Sequence, residues 1–157
     1  MFNLAVALEE LIIAFKLGEE EYGVDVSQIQ EIVKVRDITR VPKAPYYIKG
    51  VMNLRGNVIP VIDLRKRFSL PSKETTDQSR IIVFDIKGVK FGIVVDVVSE
   101  VIRLPKENIE PPPPIAMGGI ESAYIRGVGK LQDKLIILLD LEKALGLEDV
   151  VVEGAKG

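Results

Sequence analysis

Two stretches of this 157-residue chain repeat one another. Residues 47–70 read YIKGVMNLRGNVIPVIDLRKRFSL, and residues 124–147 read YIRGVGKLQDKLIILLDLEKALGL. Aligned, they share Tyr47/Tyr124, Ile48/Ile125, Gly50/Gly127, Val51/Val128 and Leu54/Leu131, then Ile59/Ile136, Asp63/Asp140, Leu64/Leu141, Lys66/Lys143 and Leu70/Leu147. Agreement of this kind through mixed composition marks one structural unit used twice. The segments before them repeat too, with Ile12/Ile81, Ile13/Ile82, Phe15/Phe84, Tyr22/Phe91, Gly23/Gly92, Glu31/Glu100 and Ile32/Val101. Phe15 and Phe84 are 69 positions apart, whereas Tyr47 and Tyr124 are 77 apart. The second copy therefore holds an insertion, placed at PPPPIAMGG, whose Pro111–Pro114 run reads as a stiff polyproline spacer.

A copy of about 65–70 residues buries little core alone, so the two are expected to pack together. The reading assigns residues 1–10 to a leader, 11–79 and 80–148 to the two copies, and 149–157 to a tail. The polar, turn-rich PSKETTDQS at Pro71–Ser79 is the boundary between copies. Residues 1–11, with Asn3 as a cap and Leu4, Leu8 and Leu11 on one face, read as a short helix or a frayed leader.

LIIAFKL, the turn at GEEE and YGVDV then form a hairpin that bends near Ser27. SQIQEIVKV fits either a strand or a helical face through Ile29, Ile32 and Val33. Pro42 and Pro45 keep the loop DITRVPKAP extended. In the duplicated stretch, Met52–Leu54 is a strand, Arg55-Gly56-Asn57 a tight turn, and Val58–Ile62 the return strand. Pro60 lacks an N–H, which places that strand at an edge or beside a bulge. Asp63 and Asp140 are positioned to cap short helices over LRKRF and LEKAL. The fold class is all-β: two small five-stranded barrels, SH3-like or OB-like, related by duplication, with short helices. Whether the first hairpin completes its own barrel or the other one is left open by the pattern.

Composition narrows the chemistry. There is no Cys and no His, which removes thiolate ligands, a thiol nucleophile and the commonest general base. No Walker-type loop or GxGxxG after a strand occurs. Glu19, Glu20 and Glu21 read as a solvated run, and Asp85 and Asp96 as capping or outward-facing residues. The reading is a protein that is no enzyme, holds no cofactor and has no metal site. A net charge of −2 and 6% aromatic residues without Trp argue against nucleic acid. The longest apolar runs are too short to span a bilayer, and no basic region precedes them as in a secretory signal. A soluble cytoplasmic protein without membrane insertion is expected, and a small-molecule sensor is the rival to a docking module.

Where the copies differ, positions are free to serve a task. Arg55-Gly56 becomes Gln132-Asp133, Met52-Asn53 becomes Gly129-Lys130, and Pro60 becomes Ile137. Glu31 persists as Glu100 while its candidate ion partner Arg55 does not, so Arg55 and Glu31 are expected to pair on one face of the first barrel.

The motifs FKLGEEEYGVDVSQIQEIV, ITRVPKAP, YIKGVMNLRGNVIPVIDL and VKFGIVVDVVSEVI resemble the CheW-like domain family of bacterial chemotaxis. The resemblance runs from about Leu11 to Leu147, and NLRG followed by IPVIDL carries most of it. It implies interlocked barrels with an apolar groove between them. It also implies a scaffold that couples chemoreceptors to the histidine kinase CheA, recruited to membrane receptor arrays. The kinase's regulatory domain would meet Glu31, Val41, Gly50, Asn53, Arg55 and Gly56. The cytoplasmic tip of the receptors would meet Ile29, Val33, Val98 and Val101.

Overall fold

The computed structural model describes residues 8–112 and 122–146. Eleven strands are present: β1 (Glu9–Leu17), β2 (Glu20–Asp25), β3 (Ile29–Lys34), β4 (Ile48–Leu54), β5 (Asn57–Ile62), β6 (Arg80–Ile86), β7 (Val89–Val95), β8 (Val97–Pro105), β9 (Ile109–Glu110), β10 (Ile125–Leu131) and β11 (Lys134–Leu139). Two one-turn helices follow the duplicated hairpins, α1 (Leu64–Arg67) and α2 (Leu141–Leu145). Asp63 Oδ1 accepts from the Lys66 N–H at 3.2 Å and Asp140 Oδ1 from the Lys143 N–H at 3.1 Å, so both expected caps are made. The leader helix and most of PPPPIAMGG lie outside the described residues.

The strands form two sheets, ordered β3-β6-β7-β5-β4 and β8-β1-β2-β11-β10-β9. Neither comes from one copy. The first barrel combines β3, β4 and β5 of copy one with the β6–β7 hairpin of copy two, and the second takes β1–β2 in return. Residues 11–79 and 80–148 thus delimit copies of sequence, while the sheets divide the chain differently. Each borrowed hairpin joins its host through one parallel pairing, Val61↔Gly92 with Ile62↔Ile93, and Ile137↔Tyr22 with Leu138↔Gly23. The barrels are therefore mixed rather than purely antiparallel. The second sheet gains a sixth strand, the two-residue β9. Its counterpart in the first barrel is a single bridge, Thr39↔Val51.

Alternation along the exchanged strands explains why LIIAFKL and RIIVF are apolar without interruption. Successive side chains point to opposite faces, and both faces are covered. Ile12 and Ala14 fill the second barrel with Ile102, Leu104, Ile136 and Leu138. Ile81 and Val83 fill the first with Met52, Leu54, Ile59 and Val61. The opposite faces, Ile13, Phe15 and Leu17 on β1 and Ile82, Phe84 and Ile86 on β6, meet in a third core shared by the barrels. Gly23 and Gly92 belong to this close packing. A Cβ on either would lie 2.6 or 2.7 Å from the Cγ2 of Ile12 or Ile81, the matched isoleucines.

SQIQEIVKV forms a 3-10 turn at Val26–Gln28 and then a strand, so the helical alternative is not realised. Pro60 is a second correction. β5 is not an edge strand, because it lies between β7 and β4. It pairs with β7 only through Val61 and Ile62, which leaves Pro60 beyond that ladder. The register shift falls on β4, between Ile48 and Gly50.

Residues matched by the duplication meet near the junction. Arg67 Nε donates to the carbonyl of Ala144, its own counterpart in copy two, at 2.7 Å. The Arg67 guanidinium lies 5.5 Å from the Tyr47 ring and 4.8 Å from that of Tyr124, and it donates to the Tyr124 hydroxyl at 2.7 Å. A shared core of this kind makes the two barrels one cooperative unit. The matched cavity variants Ile59→Ala in the first barrel and Ile136→Ala in the second are each expected to cost about 2–5 kcal/mol. Each should shift one common urea transition. Two separable steps, each sensitive to only one variant, would contradict the shared core.

Candidate functional surface

The turn between β4 and β5 builds the first feature. Arg55 and Gly56 both have positive φ, 52° and 86°, as a two-residue turn matched to strand twist requires. Asn53 Oδ1 accepts from the Gly56 N–H at 2.8 Å and locks the turn. This geometry aims the Arg55 guanidinium across the sheet at Glu31 on the edge strand β3, and the two form an ion pair. Arg55 remains 65% exposed and Glu31 is 23% exposed, so the pair orients a surface more than it stabilises the fold. Arg36 Nη1 lies beside it, 3.5 Å from the Asn53 carbonyl.

The other residues of the kinase set divide. Val41 is exposed on the loop after β3. Gly50 serves packing: a Cβ there would lie 2.3 Å from the Thr39 carbonyl oxygen, and Gly127 repeats the approach against Glu110. Any influence of Gly50 on a partner therefore passes through the position of the loop.

The receptor set does not form one surface. Ile29 and Val98, matched by the duplication, are half-buried against the shared core. Val33 packs instead against the first barrel's own core. A register shift between Ile29 and Glu31 turns the side chains over and separates the two. Val101 is 59% exposed on β8 and is free to touch a partner.

Sequence reasoning offered the strand Val58–Ile62 as a contact surface without singling out Val58, and missed its counterpart Leu135; the two are exposed by 71% and 56%. They occupy matched positions, beside Asn53 on β5 and beside Lys130 on β11. Their signal was an apolar residue at the outward parity of strands whose inward residues are Ile59/Val61 and Ile136/Leu138. In copy two, Glu100 takes the place of Glu31 and its cation comes from Lys134, at 3.6 Å, rather than from the turn. The ion pair between turn and edge strand is thus specific to the first barrel.

Asp96 was read as a capping or outward-facing residue; it is a part-buried joint. Its Oδ2 accepts from the Gly18 N–H at 2.8 Å and from Arg65 Nη2 at 2.5 Å, with Lys73 Nζ at 3.6 Å. This ties the tip of the β1–β2 hairpin to α1. Burial alone would raise the Asp96 carboxyl, but the Gly18 N–H and the Arg65 and Lys73 charges outweigh it and hold it below its usual range. Burial, reinforced by Glu20 and opposed by Arg65, pushes the Tyr22 phenol up to about 12. Glu20 and Glu21 belong to β2 rather than to the turn, and Glu21 lies 3.4 Å from Lys134.

Among the described residues, no group of three or more His, Cys, Asp or Glu is placed to hold a metal ion. Among the same residues, no helix is long and apolar enough to cross a membrane. Twin barrels fused through a common core, with an oriented ion pair and outward apolar side chains, define a protein-docking module. A family model for the CheW-like domain matches residues 11–149. The chemotaxis protein CheW of Klebsiella aerogenes is 40% identical over 138 residues, covering 88% of this chain and 82% of that protein. That of Thermotoga maritima is 34% identical over 154 residues, 98% of each chain. The crystal structure of scaffolding protein TtCheW from Thermoanaerobacter tengcongensis matches with a TM-score of 0.78 and 44% identity, covering 85% of both chains. The chain belongs to the CheW-like domain family, and its role is that of a scaffold in chemotaxis.

The lowered Asp96 carboxyl sets a pH dependence. Its folded-state value lies below the unfolded one, so its stabilisation is present above the unfolded value and is lost as pH falls through the folded one. The stability gap between the wild type and Asp96→Asn, measured by urea unfolding, is expected to be widest near neutral pH. It should close below about pH 4. A gap unchanged from pH 6 to pH 3 would contradict this.

Proposed function

We propose that the chain couples chemoreceptors to the histidine kinase CheA as a non-catalytic scaffold. The regulatory domain of CheA docks on the first barrel around Glu31 and Arg55, with Val41, Asn53 and Gly56 beside the pair and Gly50 fixing the loop. The cytoplasmic receptor tip docks on β8 around Val101, the accessible contact. Ile29 and Val98, half-buried against the shared core, act only through the shape of that surface, and Val33, turned toward the first barrel's core, is not a contact. The chain works in the cytoplasm at membrane-borne receptor arrays and raises kinase activity by holding partners in fixed geometry.

The observation that carries this reading is the exposed Arg55 guanidinium held by Glu31, present in only one of two otherwise matched barrels. An oriented charge on a rigid turn contributes specificity without chemistry. Outward apolar residues such as Val58 supply area for a surface of about 1,200–2,000 Å² in total.

Co-elution of the purified chain with the CheA regulatory domain in size-exclusion chromatography tests the reading directly, and separate elution at micromolar concentration counts against it. Arg55→Glu is expected to keep the fold and weaken kinase binding at least about tenfold, while adding Glu31→Arg restores part of the affinity. Wild-type co-sedimentation of Arg55→Glu with receptor and kinase would refute that. Val101→Asp is expected to reduce receptor binding more than kinase binding. Val98→Asp places a charge against the shared core and is expected to lower stability instead.

A further inference from the structure

One cleft on the first barrel is left unused by the fold. It lies between the loop after β3 and the segment after α1, has a volume of about 1000 Å³, and is walled by Arg40, Lys43, Lys49, Lys66 and Lys73. Two carboxylates face it, Asp63 and Glu74. Asp63 is already engaged in capping α1. Five cations against two carboxylates, in a chain of net charge −2, make the cleft a local inversion of the protein's charge. Lys73 reaches Asp96, whereas Arg40, Lys43, Lys49 and Lys66 form no ion pair with another described residue. Like charges gathered in excess of their counter-charges repel one another, and an anionic occupant relieves that repulsion.

The walls also offer apolar contacts. Val41 and Tyr46 line the cleft, and Tyr46 is 63% exposed, braced edge-on against Tyr47 at 5.4 Å. The loop that carries them is fixed by Pro42 and Pro45, by the Ile48 N–H donating to the Pro45 carbonyl at 2.9 Å, and by the Thr39↔Val51 bridge. A formed wall loses little entropy when it is occupied.

We propose that this cleft docks an acidic peptide segment of a partner protein, its carboxylates on Lys43, Lys49 and neighbouring cations and an apolar side chain against Val41 and Tyr46. Nucleic acid fits less well. A single exposed aromatic in the cleft gives no stacking platform for successive bases. Val41 is the one residue of the proposed kinase surface that also lines the cleft; Glu31, Gly50, Asn53, Arg55 and Gly56 do not, so variants at Lys43 and Lys49 test the cleft apart from that surface.

The test titrates the full chain against a fluorescein-labelled decapeptide of Glu-Glu-Leu repeats, read by fluorescence anisotropy. Saturable binding is expected, weakening about tenfold or more in the Lys43→Glu/Lys49→Glu variant and falling with added salt. Lys90→Glu, on the exposed side of β7, should leave it unchanged, and a Gln-Gln-Leu peptide should not bind. Thermal melting confirms that the variants fold, and Lys43→Gln/Lys49→Gln replaces the charge reversal if that variant melts early. Absence of saturable binding, or unchanged affinity in the folded double variant, overturns the proposal. Equal displacement of the peptide by single-stranded DNA or by anionic phospholipid vesicles overturns it too, because the cleft would then be a general anion surface.

Discussion

β1 and β6 are each covered on both faces, and the rest of the architecture depends on that. One face of β1, through Ile12 and Ala14, closes a barrel; the other, through Ile13, Phe15 and Leu17, joins the core between barrels. β6 does the same with Ile81 and Val83 on one side and Ile82, Phe84 and Ile86 on the other. Each large apolar side chain contributes about 1.5–3 kcal/mol on burial, while a domain's net stability is only about 5–15 kcal/mol. The shared layer is therefore large enough to decide whether either half folds. Exchange of the hairpins puts that layer under strands anchored by backbone pairing to the opposite copy, so the barrels cannot separate without breaking both sheets.

Within this frame, divergence between the copies has two physical meanings. At Arg55/Gln132 the change is on the surface and alters what a partner meets. At Met52/Gly129 it is internal. Met52 fills the first barrel, whereas a Cβ on Gly129 would lie 2.6 Å from Leu104 Cδ2. Leu104 corresponds to the smaller Val35, so the two barrels reach similar packing with large and small residues traded across the core. Arg67 and Ala144 diverge for a third reason. They face each other across the junction, where the single guanidinium of Arg67 lies against Tyr47 and Tyr124 and donates to the Ala144 carbonyl.

How much of this was legible follows from the range of each interaction. The caps at Asp63 and Asp140, the tight turn read at Arg55-Gly56-Asn57 and the pairing of Arg55 with Glu31 depend on local geometry or on a contrast between copies. The caps and the pair are found, and the turn is found one residue shorter, with Asn57 already in β5. The residue pattern left the exchange of hairpins open, because matched hairpins satisfy the same apolar faces in either arrangement; only the family resemblance implied interlocked barrels. Pro60 misled for a related reason. A missing N–H excludes a ladder position, yet β5 meets β7 only beyond it, so an interior strand tolerates the proline. Val33 was grouped with Ile29 by the family resemblance, and the register shift that turns it toward the first barrel's core has no marker in the pattern.

A scaffold separates what folds it from what it offers to partners, and the burial of its residues follows that division. The shared positions are largely interior, and the side chains that distinguish the first barrel stand outside on turns and loops whose backbones are already fixed. Asn53 holds the turn under Arg55, and Thr39 and Pro45 hold the loop under Lys43 and Tyr46. Binding to such a surface loses little conformational freedom, because the ordering was completed when the chain folded. An exposed ion pair adds little to stability, so it can change between the copies without affecting the core. Surfaces of this kind are therefore free to diversify around an unchanged pair of barrels.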